Sequence, residues 1–428
     1  MIGQLLFAVL FIAALGLAAY NARKIIRNIR LGRPEDRNDR PGERWKTMLL
    51  VAFGQKKMFK RPFPALLHLF VYLGFVIINI EMLEIVIDGL FGTHRIFAGL
   101  GVFYDILIAS FEWLALIVLI GCLIFLARRN MIRLRRFFGT EMTTWPRTDA
   151  NLILVAEVLL MTAFLTMNAA DLKLQGLGVD GYPVAGSFPV SSWIVGWLPD
   201  QVGSLIFIER FAWWFHIIGV LAFLNYLPYS KHLHILLAFP NTYYSNLNPK
   251  GQFTNMASVT NEVKAMMDPS YTPEETEGPL RFGAKDVSDL TWKNLLDAYT
   301  CTECGRCTSV CPANMTGKLL SPRKIMMDTR DRMVEVGKLG ENKTDGKSLL
   351  DDYITREEIW ACTTCNACVE ACPVNINPLE IITDLRRYAV MEESQAPASI
   401  NAMFGNIENN GAPWKYPQAD RANWKEQV

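Results

Sequence analysis

CTECGRCTSVCP at residues 301–312 and CTTCNACVEACP at residues 362–373 are two copies of one pattern, C-x2-C-x2-C-x3-C-P, and hold eight of the chain's nine cysteines. Three thiolates set two residues apart can wrap one iron–sulfur cube while the intervening amides point at its sulfides. The fourth cysteine, leaving toward its proline, ligates the other cluster of a pair. The spacing therefore predicts one [4Fe–4S] cluster on Cys301, Cys304, Cys307 and Cys372, and a second on Cys362, Cys365, Cys368 and Cys311. Structural zinc wants two separated pairs of ligands, not a run of four. Disulfides belong to oxidising compartments, whereas eight clustered thiols on a membrane-anchored chain fit a reducing one.

The chain ahead of the cysteines is of another kind. It carries 43 basic and 42 acidic residues overall, a balance that offers nothing to a nucleic acid. Five apolar runs, at residues 2–20, 63–87, 103–127, 152–170 and 205–227, match the roughly 20 residues a helix needs to cross a lipid bilayer. The last is expected to run on past Pro228 toward residue 239. None alternates polar and apolar residues as a barrel strand would, so all five are expected as helices, whose backbone bonds close internally in lipid. The first lacks a basic stretch before its apolar run and reads as an uncleaved anchor, not a signal peptide.

Lysine and arginine crowd the loop after the first run, from Arg23 through Arg61, and the loop after the third, from Arg128 through Arg136. Basic loops face the cytoplasm. This predicts a multi-pass protein of the inner (cytoplasmic) membrane with its amino terminus outside and its cysteines inside, where thiols stay reduced. The expected fold is all-α. A five-helix transmembrane bundle spans residues 1–239 and a proline-rich linker, helical around 261–267, spans 240–289. A mostly helical two-[4Fe–4S] ferredoxin-like domain follows over 290–395, with helices around 322–336 and 348–360, and a partner-docking tail over 396–428.

A family resemblance becomes specific at CTECGRCTSVCPANMTGKLLSPRKI, residues 301–325, and IWACTTCNACVEACPVNINPLEII, residues 359–382. These resemble the iron–sulfur domain of the heterodisulfide reductase, anaerobic glycerol-3-phosphate dehydrogenase and lactate-oxidation families. The five-helix part resembles the cytochrome b subunit of respiratory nitrate reductase. The order of the modules and the basic first loop resemble membrane oxidoreductases that link electron-transfer flavoprotein to menaquinone. Those proteins continue into a domain with repeated Cys-Cys-Gly motifs. No Cys-Cys pair occurs here, and GNIENNGAPWKYPQADRANW, residues 405–424, resembles the connector before that domain. The resemblance implies that this segment docks a separately encoded Cys-Cys-Gly iron–sulfur subunit.

Of five histidines, His68 falls in the second run, His216 in the fifth, and His232 and His234 at its inner end. Ionisable residues inside a membrane are functional candidates by default, and haem b takes two imidazoles from facing helices. In the nitrate reductase pattern the fifth helix carries two histidines 18 apart, a spacing kept by His216 and His234. The second helix should carry two about ten apart; His68 matches the first, but Ile78 stands at the second. The resemblance implies one haem b, on His68 with His234 or on His68 with His216, while a second would need a ligand such as Met58. His94 and Cys122 are expected only to pack.

Glu81 and Glu84, with Asp88, Arg95 and Glu112 nearby, are candidate proton acceptors for a quinol at the outer face. Glu209 and Arg210 are expected to pair with them. No glycine fingerprint for a nucleotide is present. The expected function is an electron-transfer subunit between a cytoplasmic partner and the quinone pool, for which the resemblance implies menaquinone; the alternative is a haem-free anchor that tethers a ferredoxin-like carrier.

Overall fold

The computed structural model describes residues 1–272, 281–340 and 344–426. Pro273 and Pro279 of the expected linker, and the last two residues of the expected tail, lie outside them. The described residues form helices and turns with no strand, only the isolated bridges Arg33–Thr291 and Leu350–Ile354. Five helices form the bundle: α1 (Ile2–Ile29), then, after a short α2 (Pro41–Met48), α3 (Pro62–Phe91), α4 (Val102–Asn130), α5 (Thr144–Gly176) and α6 (Val202–Tyr226). The shortest of the five has 25 residues, about 38 Å at 1.5 Å per residue, which exceeds the ~30 Å hydrocarbon core. α5 packs between α4 and α6, and α1 lies against α3 and α6. The inner faces bury Phe7, Ile108, Phe111, Phe164 and Ile217, while leucines and phenylalanines elsewhere on these helices stay exposed as a lipid-facing surface.

The fifth membrane helix does not continue to residue 239. Pro228 lacks an N–H and cannot extend the helix, so α6 ends at Tyr226 and passes through two single 3₁₀ turns. Asp149 of α5 holds the break open by accepting from Tyr226 Oη (2.5 Å) and Lys231 N (3.1 Å). A separate helix, α7 (His234–Tyr243), then starts at His234 itself.

The remaining helices are α8 (Ala257–Met267), α9 (Trp292–Thr300), α10 (Pro312–Met315), α11 (Pro322–Leu339), α12 (Leu349–Asp352), α13 (Arg356–Ala361), α14 (Ala367–Ala371), α15 (Pro378–Met391) and α16 (Ala398–Asn410). The helix expected over 348–360 is thus two short ones, because Leu350 and Asp351 leave helical geometry. The cysteine region is a duplicated unit. A short helix with a Thr291–Asn294 or Thr355–Glu358 capping box leads into each cysteine run. After each run, a side-chain cap followed by proline, Ser321–Pro322 or Asn377–Pro378, starts α11 or α15. Capping boxes satisfy two orphan amides, and proline at the first helical position sacrifices no bond.

This domain sits on the end of the bundle that carries both basic loops. Arg27 donates to Gly337 O (2.5 Å), Asn28 to Tyr299 Oη (2.8 Å) and Arg323 to Arg136 O (2.6 Å). Asn241 of α7 donates to Val374 O (3.0 Å), and its own oxygen accepts from Lys293 Nζ (3.1 Å).

Candidate functional site

The eight motif thiols are free and fall into two crossed sets. Cys307 lies within electrostatic reach of Cys301, Cys304 and Cys372, and Cys368 within reach of Cys362, Cys365 and Cys311. The sets adjoin through Cys307 and Cys368. Cys301, Cys304, Cys307 and Cys372 wall one cavity, together with Cys368 of the other set. Among the described residues no three His, Cys, Asp or Glu groups converge on a single ion's position. Eight thiols grouped four and four match the ligand number that two [4Fe–4S] clusters take.

Local backbone shapes both rings alike. Glu303 and Gly305 in the first run, and Thr364 and Asn366 in the second, take left-handed conformations at matching positions. Alternating such residues turns successive amides inward into an anion-holding nest. At Thr364, with φ of 56°, this imposes a conformation rare for a β-branched residue, the kind of strain that collects at functional sites. Amide donors reach sulfur directly, Thr364 N to Cys362 Sγ at 3.4 Å and Ile376 N to Cys372 Sγ at 3.3 Å. Burial pushes the Cys301 and Cys368 thiols up to about 12 and Cys372 to about 11. Thiolates so placed need a positive centre beside them, and a coordinated metal deprotonates a thiol outright.

The first ring faces the membrane bundle through a basic collar. Lys57, just ahead of α3, donates to Val369 O (3.1 Å) and Asn375 Oδ1 (3.0 Å), and its charge bears on Cys372. Burial holds its ammonium down to about 8. Arg136 and Arg306 bear on Cys304 in the same way.

Beyond the collar lie the histidines. His68 of α3 and His234 at the start of α7 stand with ring centres 6.3 Å apart. Two imidazoles sharing one metal, each about 2.0 Å from it, have centres about 6 Å apart once the rings' radii are added. His68 Nδ1 faces Gln55 Oε1 at 3.2 Å and His234 Nδ1 faces Lys231 O at 2.9 Å. A backbone carbonyl only accepts, so Nδ1 of His234 carries the proton and its Nε2 keeps its lone pair. Metal-binding imidazoles are oriented by such bonds. His232 packs 5.6 Å from His234, with its Nε2 buried and unpartnered. His216 stands apart on α6, its ring beside Phe164 and its Nδ1 on Leu160 O at 3.0 Å.

The carboxylates at the end of the bundle away from the cysteine domain are mostly engaged. Glu84 accepts from Phe97 N (2.9 Å) and Tyr104 Oη (2.8 Å), one bond to each oxygen. Glu112 accepts from Val190 N (2.8 Å), Ser191 N (3.1 Å) and Ser191 Oγ, and so anchors the α5–α6 loop. Glu81 alone keeps a buried oxygen, Oε2, without a partner. Arg210 does not pair with Glu81 or Glu84; it binds its neighbour Glu209 (2.6 Å) and His94 (3.2 Å), while Arg95 pairs with Asp171. The nearer partner wins because an isolated charge at this depth is costly. Cys122 packs in the α4 core.

These features define a two-cluster iron–sulfur domain built onto a five-helix membrane protein. The family model described as a 4Fe-4S dicluster domain matches residues 293–373. The chain is similar to the probable iron-sulfur-binding oxidoreductase FadF of Bacillus subtilis, 29% identical over 99% of this chain and 61% of that protein. It is also similar to the EtfAB:quinone oxidoreductase of Syntrophomonas wolfei, 27% identical over 91% of this chain and 54% of the relative. One component of the ferredoxin/F(420)H(2)-dependent CoB-CoM heterodisulfide reductase of Methanosarcina acetivorans is 37% identical over 24% of this chain and 52% of its own length. The chain thus spans only part of each relative. No solved structure matches it.

Gln55, Arg306 and Glu157, which the structure places beside these groups, were not singled out from the sequence. Glu157, a lone acid amid the fourth apolar run, was visible as an ionisable intramembrane residue.

Proposed function

We propose that the chain is the electron-transfer subunit of a membrane oxidoreductase, working between a cytoplasmic redox partner and the menaquinone pool. The observation that carries this reading is the adjacency of the first thiol ring to the His68–His234 pair, joined by Lys57 and by α7. Two [4Fe–4S] clusters and one haem b would supply one-electron carriers when bound. The chain's own residues set their surroundings. Amides bond the cysteine sulfurs, the basic collar faces the anionic ring, and Gln55 and the Lys231 carbonyl fix the two imidazoles.

The name of the Syntrophomonas relative supports an electron-transfer flavoprotein as the cytoplasmic partner, reached here through a Cys-Cys-Gly subunit. Supporting a docking role, α16 buries none of its side chains, and Phe404, Ile407, Trp414, Tyr416 and Trp424 are exposed along the tail. Deleting residues 405–428 is expected to release a co-purifying iron–sulfur subunit while the two clusters stay bound. In this reading the basic collar lies inside and the inner membrane holds the bundle. At the outer face Glu81 is the carboxylate free to take a proton, with Glu84 holding the α3–α4 turn.

A visible spectrum of the purified complex tests the proposal. Reduced b-type bands that vanish in His68→Leu and in His234→Leu, with cluster absorption retained, are the expected result. A spectrum of iron–sulfur absorption alone would leave a haem-free anchor instead.

A further inference from the structure

A cavity of about 60 Å³ opens between α3, α4, α5 and α6 on the cluster side of the bundle's middle. Its walls are apolar except for Asn79, Glu157 and His216. Glu157 is 8% exposed and makes no hydrogen bond or ion pair among the described residues, an arrangement that is expensive in lipid and marks a working group. His216 is 3% exposed, and with Nδ1 spent on Leu160 O its Nε2 is an acceptor. Gly219 lets α6 approach α5 at this level: a Cβ there would stand 2.6 Å from Leu160 Cδ2. Two proton-accepting groups therefore face one cavity from adjacent helices.

The cavity also has a lipid side and a redox side. Phe75 and Asn79, both lining it, are exposed on α3. Phe75 and Phe223, both lining it, pack against the His232 ring at 6.4 and 5.2 Å, and His232 packs on His234. By contrast Glu81 lies 13 residues along α3 from His68, about 20 Å at helical rise.

We infer that this cavity receives one oxygen-bearing edge of a quinone ring that enters from lipid past Phe75 and Asn79, with Glu157 exchanging a proton with that oxygen and His216 Nε2 accepting from its hydroxyl in the quinol form. The inference rests on the quinone-linked reading above and moves its chemistry from the outer carboxylates to Glu157. Reduction of the ring to the quinol takes two electrons, one at a time, from the reduced cytoplasmic partner by way of the chain's redox groups. It also takes two protons, one per oxygen: the one inside the cavity is handed over by Glu157, which regains it from water, and the one on the oxygen outside the cavity comes from water directly. Oxidation runs the same balance in reverse.

The test uses the complete purified complex, a fluorescent hydroxyquinoline N-oxide as quinone analogue, and menadiol as reductant. Glu157→Gln is expected to slow menadiol-driven reduction of the protein by roughly 10²-fold, the size of a lost acid–base group, with the dithionite-reduced spectrum unchanged. Val220→Phe, which fills the cavity, and His216→Leu are expected to weaken analogue binding at least tenfold, again with the spectrum unchanged. Loss of b-type absorption in His216→Leu would make His216 a haem ligand and overturn the assignment. So would wild-type rates and binding in both Glu157→Gln and Val220→Phe, above all if Glu81→Gln is slow. If the unaltered complex neither binds the analogue nor takes electrons from menadiol, the quinone-linked reading itself fails, and the site fails with it.

Discussion

Cys372→Ser is expected to strip the cluster whose other ligands come from the first cysteine run, although Cys372 belongs to the second. The protein should keep about half its iron, because only one of the two cubes depends on this thiol. The lost paramagnetic signal should match that lost in Cys304→Ser and differ from that lost in Cys368→Ser. The reason is spatial. Cys372 leaves the second run toward Pro373 and comes within electrostatic reach of Cys304, while Cys311 crosses the other way toward Cys368. The effect on folding should be large as well, since metal-binding free energy is folding free energy for a domain that closes on its metal. Iron analysis and electron paramagnetic resonance of the three variants decide it: identical losses in Cys372→Ser and Cys368→Ser would mean that each run binds its own cluster.

The cysteine runs were readable because chemistry fixes their spacing, and the membrane helices because the bilayer fixes their length. The duplicated flanks, Thr291 with Asn294, Thr355 with Glu358, and Ser321–Pro322 and Asn377–Pro378, are local signals that the cysteine spacing alone did not draw on. What escaped was tertiary. Nothing in the sequence near His234 says that Asp149, far away on α5, stabilises a break after Tyr226. With the break, the 18-residue spacing of His216 and His234 no longer measures distance along one helix. His234 turns to His68 while His216 turns to α5. Which histidine faces His68 was therefore open in the sequence for a physical reason: it depended on where one helix stops. The same holds for the outer acids. Their count suggested a proton path, but which of them stays free depends on Phe97, Tyr104 and the α5–α6 loop folding back.

Arg323→Met is the substitution expected to cost most stability without touching a cluster ligand. Arg323 is buried at the seam between the cysteine domain and the α4–α5 loop, donating to Glu141 Oε1 from Nε (3.0 Å) and Nη2 (2.6 Å) and to Arg136 O from Nη1 (2.6 Å). Glu141 is itself buried, its side chain 6% exposed. Removing one member of such a pair strands the other charge away from water, at roughly 3–5 kcal/mol. Methionine keeps most of the volume, so the loss reports the charge and its bonds rather than a cavity. Denaturant titration of the cysteine domain's helices should show the drop, and Arg323→Met with Glu141→Gln should recover a substantial part of it, as coupled neighbours do. Equal stability of the single and double variants would show that Ser321 Oγ, 2.6 Å from Glu141, suffices to hold that carboxylate. Arg323 also bears on Gly305. Its φ of +69° keeps the backbone between Cys304 and Cys307 turned inward, and a Cβ there would meet Arg323 Nη1 at 2.6 Å. The same guanidinium thus seats the first thiol ring against the bundle.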